Sequence, residues 1–192
     1  EECGIEKIYF KGYDVAREEN IEKIDTSNKM ATNLYQVLEN KNTKVTLGWN
    51  FNISNRYAFK HFSSIEKVDT IVISPEISYR RLEEIGETDV KKAILAYGRP
   101  RAMYTELSLG DEEVKIIENE QGDKFIIVKN NIGNSEIYLE KPLNILKDRK
   151  YLEKIGISEL VLEFTTETAT EIRDILNGKG TYRPYNYEKG VF

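Results

Sequence analysis

The strongest constraint on the fold is a repeated alternation between short apolar, β-branched segments and segments with helical periodicity. Segments of the first kind lie at residues 5–10, 44–49, 70–74, 93–97 and 159–164. Short buried strands separated by helices are typical of βα units whose strands pair in parallel. The sequence therefore predicts an α/β fold built around a mostly parallel sheet of five strands.

Helices are predicted beside these strands. Apolar side chains recur at helical spacing after Ser27 and Asn28, either of which can cap a helix, so the pattern predicts a helix over 28–40. Similar patterns predict helices near 55–66, 78–86, 148–155 and 167–177. We expect the last helix to begin after Thr165 and Thr166 and to end at Gly178.

Residues 104–141 interrupt this alternation. Three short apolar segments, at 114–117, 125–128 and 137–139, are separated by 121–123 and 130–134, which contain Gly, Asn and Asp. Those residue types form hairpin turns. We therefore expect an antiparallel β-hairpin insertion at 104–141, flanked by half-barrel βα units at 1–103 and 142–192. The tyrosine-rich tail from Gly178 is expected to be irregular and to pack aromatic rings on the body.

Five parallel strands do not close a (β/α)₈ barrel, which needs eight βα units and about 250 residues. The chain has 192 residues and begins with Glu1 rather than Met. We therefore expect the C-terminal part of a TIM-barrel-like fold, with the N-terminal barrel strands supplied by a missing half or a partner chain. An open sheet is the alternative.

Composition limits the classes of function. The net charge is −5 with both signs interspersed, so RNA is possible as a partner but is not indicated by charge. Cys3 is the single cysteine, which excludes an internal disulfide and a multi-thiolate metal site built from this chain alone. No apolar run approaches the length of a membrane span. These features predict a cytoplasmic protein with no membrane partner.

Polar residues that follow parallel strands are the first candidates for a functional site, because the carboxyl ends of such strands meet at one edge of a sheet. Asn50, Asn52 and Asn55 follow the second strand and are candidate substrate-binding groups; simple capping of the next helix is the alternative. Glu76 follows the third strand, where it is either a catalytic carboxylate or part of an acidic first helical turn.

The segment after the fourth strand is the least ordinary in the chain. Tyr97 is a candidate substrate contact there, and Arg99 offers a planar donor fork for a carboxylate or a phosphate. Glu106 is a candidate acid or base, and a plain salt bridge with Arg99 is the alternative. In the last strand Glu163 alternates with apolar residues, and an inward and a solvent-side orientation are equally compatible with that pattern.

Two residue types that often carry chemistry are scarce. His61 is the single histidine and lies in a predicted helix, which favours a structural role. Cys3 lies beside the first predicted strand, which argues against a catalytic thiolate. Neither a phosphate-binding glycine loop nor a dinucleotide fingerprint occurs. No cofactor or metal is therefore expected.

Four motifs in order resemble the C-terminal half of the collagenase-like peptidases, peptidase family U-32. They are Asn50 to Asn55, Ile73 to Ser78, Tyr97-Gly98-Arg99 with Met103 to Glu106, and Ile137-Tyr138-Leu139 with Lys141-Pro142-Leu143. The resemblance covers roughly residues 40–178. It implies a barrel-like fold and a hydrolase acting on a peptide or another polar substrate.

The resemblance also implies an alternative, because some relatives look like hydroxylation factors for RNA or quinone precursors that carry an iron–sulfur cluster. Where many relatives have a cysteine, this chain has Leu107-Ser108-Leu109-Gly110, and a cubane cluster normally needs four thiolates. We therefore expect a peptidase in which Glu76, Arg99 and Glu106 assist attack of water on an amide. A non-hydrolytic modification factor and a catalytically silent binding scaffold are the alternatives.

Overall fold

The computed structural model describes residues 10–11, 29–39, 44–129 and 133–190. The first sheet contains β1 (Phe10–Lys11), β2 (Lys29–Ala31), β3 (Val45–Leu47), β4 (Val68–Ile73), β5 (Lys91–Gly98), β10 (Leu143–Asn144) and β11 (Glu159–Leu162). The second contains β6 (Arg101–Thr105), β7 (Val114–Glu118), β8 (Lys124–Lys129) and β9 (Ser135–Leu139). The helices are α1 (Leu34–Glu39), α2 (Arg56–Ser63), α3 (Tyr79–Glu83), α4 (Arg149–Lys154) and α5 (Ala169–Leu176).

The first sheet is mostly parallel. Its strands β1, β2, β3, β4 and β5 pair in that order, each parallel to the next, and β11 pairs in parallel with β5. The short strand β10 pairs antiparallel with the end of β5. The predicted α/β class, with a mostly parallel sheet and an antiparallel insertion, is therefore confirmed for the described residues.

The two faces of the parallel sheet are unequal. Helices cover one face, where the main core contains fully buried side chains from β3, β4 and β5 and from the helices, among them Leu47, Ile71, Ile94, Phe59 and Leu82. The opposite face carries a smaller buried cluster of Met30, Val72 and Ala93, against which Trp49 and Val161 pack. We call this second face the inner face.

The predicted helix over 28–40 is wrong in its first half. Lys29–Ala31 form strand β2, which pairs with β3, and α1 begins only at Leu34. Asn33 rather than Ser27 or Asn28 caps the start of α1, since its side-chain oxygen accepts a hydrogen bond from the backbone N–H of Gln36 at 3.1 Å. Pairing between strands overrides local helical periodicity here.

Elsewhere the predicted elements lie close to the observed ones. Of the first predicted strand, 5–10, all but Phe10 lies outside the described residues. Helix α5 begins after Thr168, whose side chain and Glu171 form a capping box, rather than after Thr165 and Thr166. The second sheet has four strands because Arg101–Thr105 pairs with β9, a strand that the sequence pattern does not reveal.

The predicted turn at 121–123 is confirmed. The side-chain oxygen of Asn119 accepts hydrogen bonds from the backbone N–H groups of Gln121 at 3.0 Å and Asp123 at 2.8 Å. Gly122 adopts φ 84°, a conformation that L side chains rarely take. Of the second predicted turn, residues 130–132 lie outside the described residues.

The tail packs on the body through its tyrosines, as predicted. Tyr187 is fully buried, stacks on Tyr79 with ring centroids 5.4 Å apart, and donates a hydrogen bond to the Leu95 carbonyl at 3.1 Å. Tyr79 and Tyr182 both donate to Asp148, at 2.5 and 2.9 Å. Burial, followed by the neighbouring Asp148 carboxylate, raises the pKa of Tyr79 well above its usual value.

We predict that Tyr187→Ala destabilises the chain by about 4 kcal/mol, because it empties a fully buried aromatic site. Tyr187→Phe keeps the ring but leaves the Leu95 carbonyl without its donor, which costs about 1.5 kcal/mol. Urea unfolding measures both values. The exposed Tyr57→Phe is the matched control and changes stability by less than about 0.5 kcal/mol. Equal stabilities for Tyr187→Phe and the wild type would contradict the hydrogen bond.

Candidate functional site

The carboxyl ends of β3, β4, β5 and β11 lie at one edge of the parallel sheet, since these strands run in the same direction. The loops that leave this edge begin at Gly48, Ser74, Arg99 and Glu163. Three of the four polar segments singled out in the sequence begin in these loops, and the fourth begins at Tyr97 within β5 and continues into the loop at Arg99. The edge is therefore the place to look for a site.

Gly98 allows β5 and β11 to approach closely at this edge. A Cβ atom built on Gly98 would lie 3.1 Å from both the carbonyl oxygen and the Cβ atom of Glu163. Gly98 also adopts a φ of 155°, which L side chains rarely take. The backbone N–H of Glu163 donates to the Tyr97 carbonyl at 2.8 Å, which continues the pairing. The glycine thus accommodates a neighbouring strand of the same chain.

Arg99 binds the loop that follows β11. Its Nη1 donates to the carboxylate of Glu167 and to Thr165 Oγ1 at 3.1 Å, and its Nε donates to the Glu140 carbonyl at 3.2 Å. Tyr97 donates its hydroxyl to the same Glu167 oxygen at 3.0 Å. The alternative of a salt bridge between Arg99 and Glu106 does not hold, because the carboxylate partner of Arg99 is Glu167.

Glu167 is almost completely enclosed, with 4% of its side chain exposed. Its second oxygen accepts the backbone N–H groups of Thr165 at 2.8 Å and Thr166 at 3.1 Å. Burial opposes the charged form, but the Thr165 backbone hydrogen bond and the Arg99 guanidinium outweigh it and lower the pKa of Glu167 below its usual value. A carboxylate with all these donors is structural rather than reactive.

A second polar cluster includes a contact across the inner face. The indole N–H of Trp49, after β3, donates to Glu163 Oε2, after β11, at 3.2 Å. Strands β4 and β5 lie between them, so in a flat sheet the two loops would begin about 14 Å apart. The two side chains therefore extend toward each other over the inner face, where Trp49 also packs against the cluster of Met30, Val72 and Ala93. The contact also shows that Glu163 has the inward orientation, beside Trp49.

The second sheet brings further charged groups to the same place. Tyr138 is buried and donates to Glu136, whose carboxylate lies 3.7 Å from Arg101 Nη1. Burial, then Glu136, and then the charge of Glu163 raise the pKa of Tyr138 well above its usual value, while Arg101 opposes the shift. We call Trp49, Glu163, Tyr138, Glu136 and Arg101 the Tyr138 cluster.

The three asparagines after β3 have different environments. The side-chain oxygen of Asn55 caps α2, because it accepts hydrogen bonds from the backbone N–H groups of Tyr57 at 3.1 Å and Ala58 at 2.9 Å. For Asn55 the structure therefore shows helix capping, the alternative to a substrate-binding role. Asn52 is exposed and adopts the left-handed conformation with φ 50°. Asn50 is half-buried within the turn Trp49–Phe51, next to the Tyr138 cluster.

The contacts of Arg99 with Glu140, Thr165 and Glu167 include neither Glu76 nor Glu106. Glu76 is exposed in the loop after β4 and lies near Tyr185. Burial, and then the charge of Glu76, raise the pKa of Tyr185 above its usual value. Glu106 is exposed just beyond the far end of β6. Pro100 and Thr105, at opposite ends of β6, pair with Leu139 and Ser135 of β9. Arg99 and Glu106 lie beyond these two ends, so at least a strand length of about 13 Å separates them.

Sequence analysis missed Glu136 and Tyr138 as site residues. Alternation within β9 places them on one face, and Tyr138 lies directly opposite Arg101 of β6. Recognising β6 as a strand would have revealed this pairing. A register irregularity between Arg101 and Met103 interrupts its alternation and hides it.

Two kinds of feature are absent from the described residues. No group of three or more His, Cys, Asp or Glu side chains in that part of the chain is arranged to hold a metal ion. No helix within the same residues is long and apolar enough to cross a membrane. His61 is exposed in the last turn of α2, beside the ring of Phe62, and Cys3 lies outside the described residues.

No protein-family model, curated protein or solved structure matches the chain. The resemblance to the collagenase-like peptidases therefore rests on the four motifs in the sequence.

We predict that Glu167→Gln costs about 3 kcal/mol at pH 7, because it leaves Arg99, with 13% of its side chain exposed, without its counter-charge. The folded-state pKa of Glu167 is lowered, so its stabilisation is fully present above the ordinary value of 4.5 and is lost as pH falls through the lowered value. Urea unfolding should therefore show a smaller difference between variant and wild type at about pH 3 than at pH 7.

Glu66→Gln is the control for that experiment, since Glu66 is exposed and remote from Arg99. We expect it to change stability by less than about 0.5 kcal/mol at either pH. A difference between Glu167→Gln and wild type that does not depend on pH would contradict the assignment of Glu167 as a buried anion.

Proposed function

We propose that the chain is part of a barrel-like fold of the collagenase-like peptidase family and that it hydrolyses an extended peptide at the Tyr138 cluster. The observation that carries the proposal is the hydrogen bond from Trp49 to Glu163, which holds a carboxylate on the inner face of the parallel sheet. In parallel barrels this carboxyl edge is where substrates bind. The order of the four motifs supports the same family.

Glu163 replaces Glu106 as the proposed general base. Its carboxylate takes a proton from water as the water oxygen attacks the peptide carbonyl carbon, and returns it to the amine as the carbon–nitrogen bond breaks. Arg101 is the cation of the cluster and stabilises the oxyanion that forms on the carbonyl oxygen. Asn50 and Asn52 are proposed to hold the polar backbone of the peptide at the rim.

A catalytically silent binding scaffold is the second candidate. One observation favours it: Arg99 and Arg101 both lie against carboxylates of the chain itself, Glu167 and Glu136. Cations neutralised in this way stabilise a fold as readily as they bind a substrate. In this case the chain binds peptides at the same edge and does not cleave them.

We predict that Glu163→Gln lowers peptide turnover about 100-fold, because the amide keeps the acceptor for Trp49 but cannot take a proton. Cleavage of a fluorogenic gelatin-derived peptide measures turnover, which we expect to be slow because water reaches an open site. Glu106→Gln is the matched control and leaves the rate unchanged. Loss of turnover in Glu106→Gln, with Glu163→Gln fully active, would restore Glu106 as the base. Peptide binding without any turnover by the wild type would favour the scaffold.

A further inference from the structure

Strand β7 lies at the edge of the second sheet. The strand order is β6, β9, β8, β7, so among the described residues β7 has a partner on one side alone. Its pairing with β8 is uninterrupted over five residue pairs, from Val114 with Val128 to Glu118 with Lys124. The other edge strand, β6, carries a register irregularity. Bulges protect sheet edges from pairing with other chains, and β7 has none.

The ladder fixes which backbone groups of β7 point outward. The Glu113 carbonyl accepts from Lys129 N–H at 2.9 Å, and Asn119 N–H donates to the Asp123 carbonyl at 3.0 Å. In an antiparallel pair, residues that bond the partner alternate with residues whose backbone groups point away. Val114, Ile116 and Glu118 therefore direct both their N–H and C=O groups away from β8.

The same edge exposes apolar side chains. Val114 is 46% and Ile116 61% exposed, although both are β-branched residues in a strand. Ile116 lies opposite Ile126, which is buried, and Ile126 lies opposite the buried Tyr138. Ile116 thus ends an apolar row that runs across the sheet. An added strand would extend the row by one residue and would cover the outer flank of both exposed side chains.

Charge decides what kind of strand fits. Residues 111–124 contain six Asp and Glu and two Lys, so they carry a net charge of −4 of the chain's −5. The acidic residues lie before the strand, at 111–113, at its last residue, Glu118, and beyond it, at 120 and 123. Symmetric antiparallel pairing of two copies at Ile116 would bring Glu112 of one chain opposite Glu120 of the other. Such like-charge pairs oppose self-association.

We propose that β7 is a docking edge for an extended segment of another protein, one with an apolar β-branched centre and basic residues at both ends. The segment adds antiparallel to β7 and bonds the outward backbone groups of Val114, Ile116 and Glu118. Its central apolar residues lie beside Val114 and Ile116, and its basic ends lie beside the two acidic flanks. This inference does not depend on the proposed peptidase activity.

The probe is a synthetic capped peptide of sequence Lys-Thr-Lys-Val-Val-Thr-Val-Lys-Lys, designed to match the register of residues 112–120. Amide hydrogen exchange, followed by NMR on the whole chain, is the measurement. We expect the peptide to slow exchange at Val114, Ile116 and Glu118 by at least about tenfold, whereas Lys115 and Ile117 already bond β8 and change little. The same peptide with every Lys replaced by Glu is the control and should give no protection.

Ile116→Pro removes one outward donor without removing a bond to β8, and we expect it to abolish the protection at Val114 and Glu118. Ile116→Thr retains that donor and should retain the protection. Should Ile116→Pro not fold, replacing Glu112, Glu113 and Glu118 by Gln tests the charge instead and should weaken binding at least about fivefold.

Three results would overturn the proposal. The first is unchanged exchange at the three outward amides when the peptide is present at millimolar concentration. The second is equal protection by the Glu-containing peptide. The third is protection of these amides in the chain alone together with a dimeric mass, which would make a second copy the occupant.

Discussion

A buried ion pair holds the end of the central strand, the loop after β11 and the second sheet in one arrangement. Arg99 contacts Glu167, Thr165 and the Glu140 carbonyl, and thereby joins three segments that are far apart in sequence. Removing either charge would leave the other enclosed and uncompensated, which costs much more than an exposed salt bridge contributes. This pair therefore links the end of β5 to the second sheet and to the loop after β11.

The candidate site inherits its geometry from that arrangement. Arg99 fixes the start of the second sheet. Arg101 lies two residues further along the chain, in β6, where it pairs with Tyr138 of β9. Tyr138 and Glu136 then lie near Glu163 at the carboxyl edge of the parallel sheet. The charged residues therefore divide into two groups: Arg99 and Glu167 position the sheets, while Glu163 and Arg101 lie at the edge where a substrate would bind.

Local sequence patterns predicted most of the parallel sheet and little of the site. Strands β3, β4 and β5 are rich in apolar residues and buried along most of their length, which is how strands buried on both faces are recognised. Lys29–Ala31 could not be identified in this way, because three residues carry no periodicity and Met30 fits the following helix equally well. The partner of Arg99 was missed because Glu167 lies 68 residues away, and spacing along the chain does not reveal a contact of that range.

The contact between Trp49 and Glu163 has a consequence for how the chain folds. These two residues are separated by 114 positions in the sequence. The hydrogen bond from Tyr187 in the tail to Leu95 joins residues that are 92 positions apart. Contacts between distant residues form slowly, since the entropy of closing the intervening segment is lost before the contact stabilises anything. The two successive hairpins formed by β7, β8 and β9 contain local pairings and can form early. The carboxyl edge with Glu163 would therefore be among the last parts of the molecule to assemble, after both sheets exist separately.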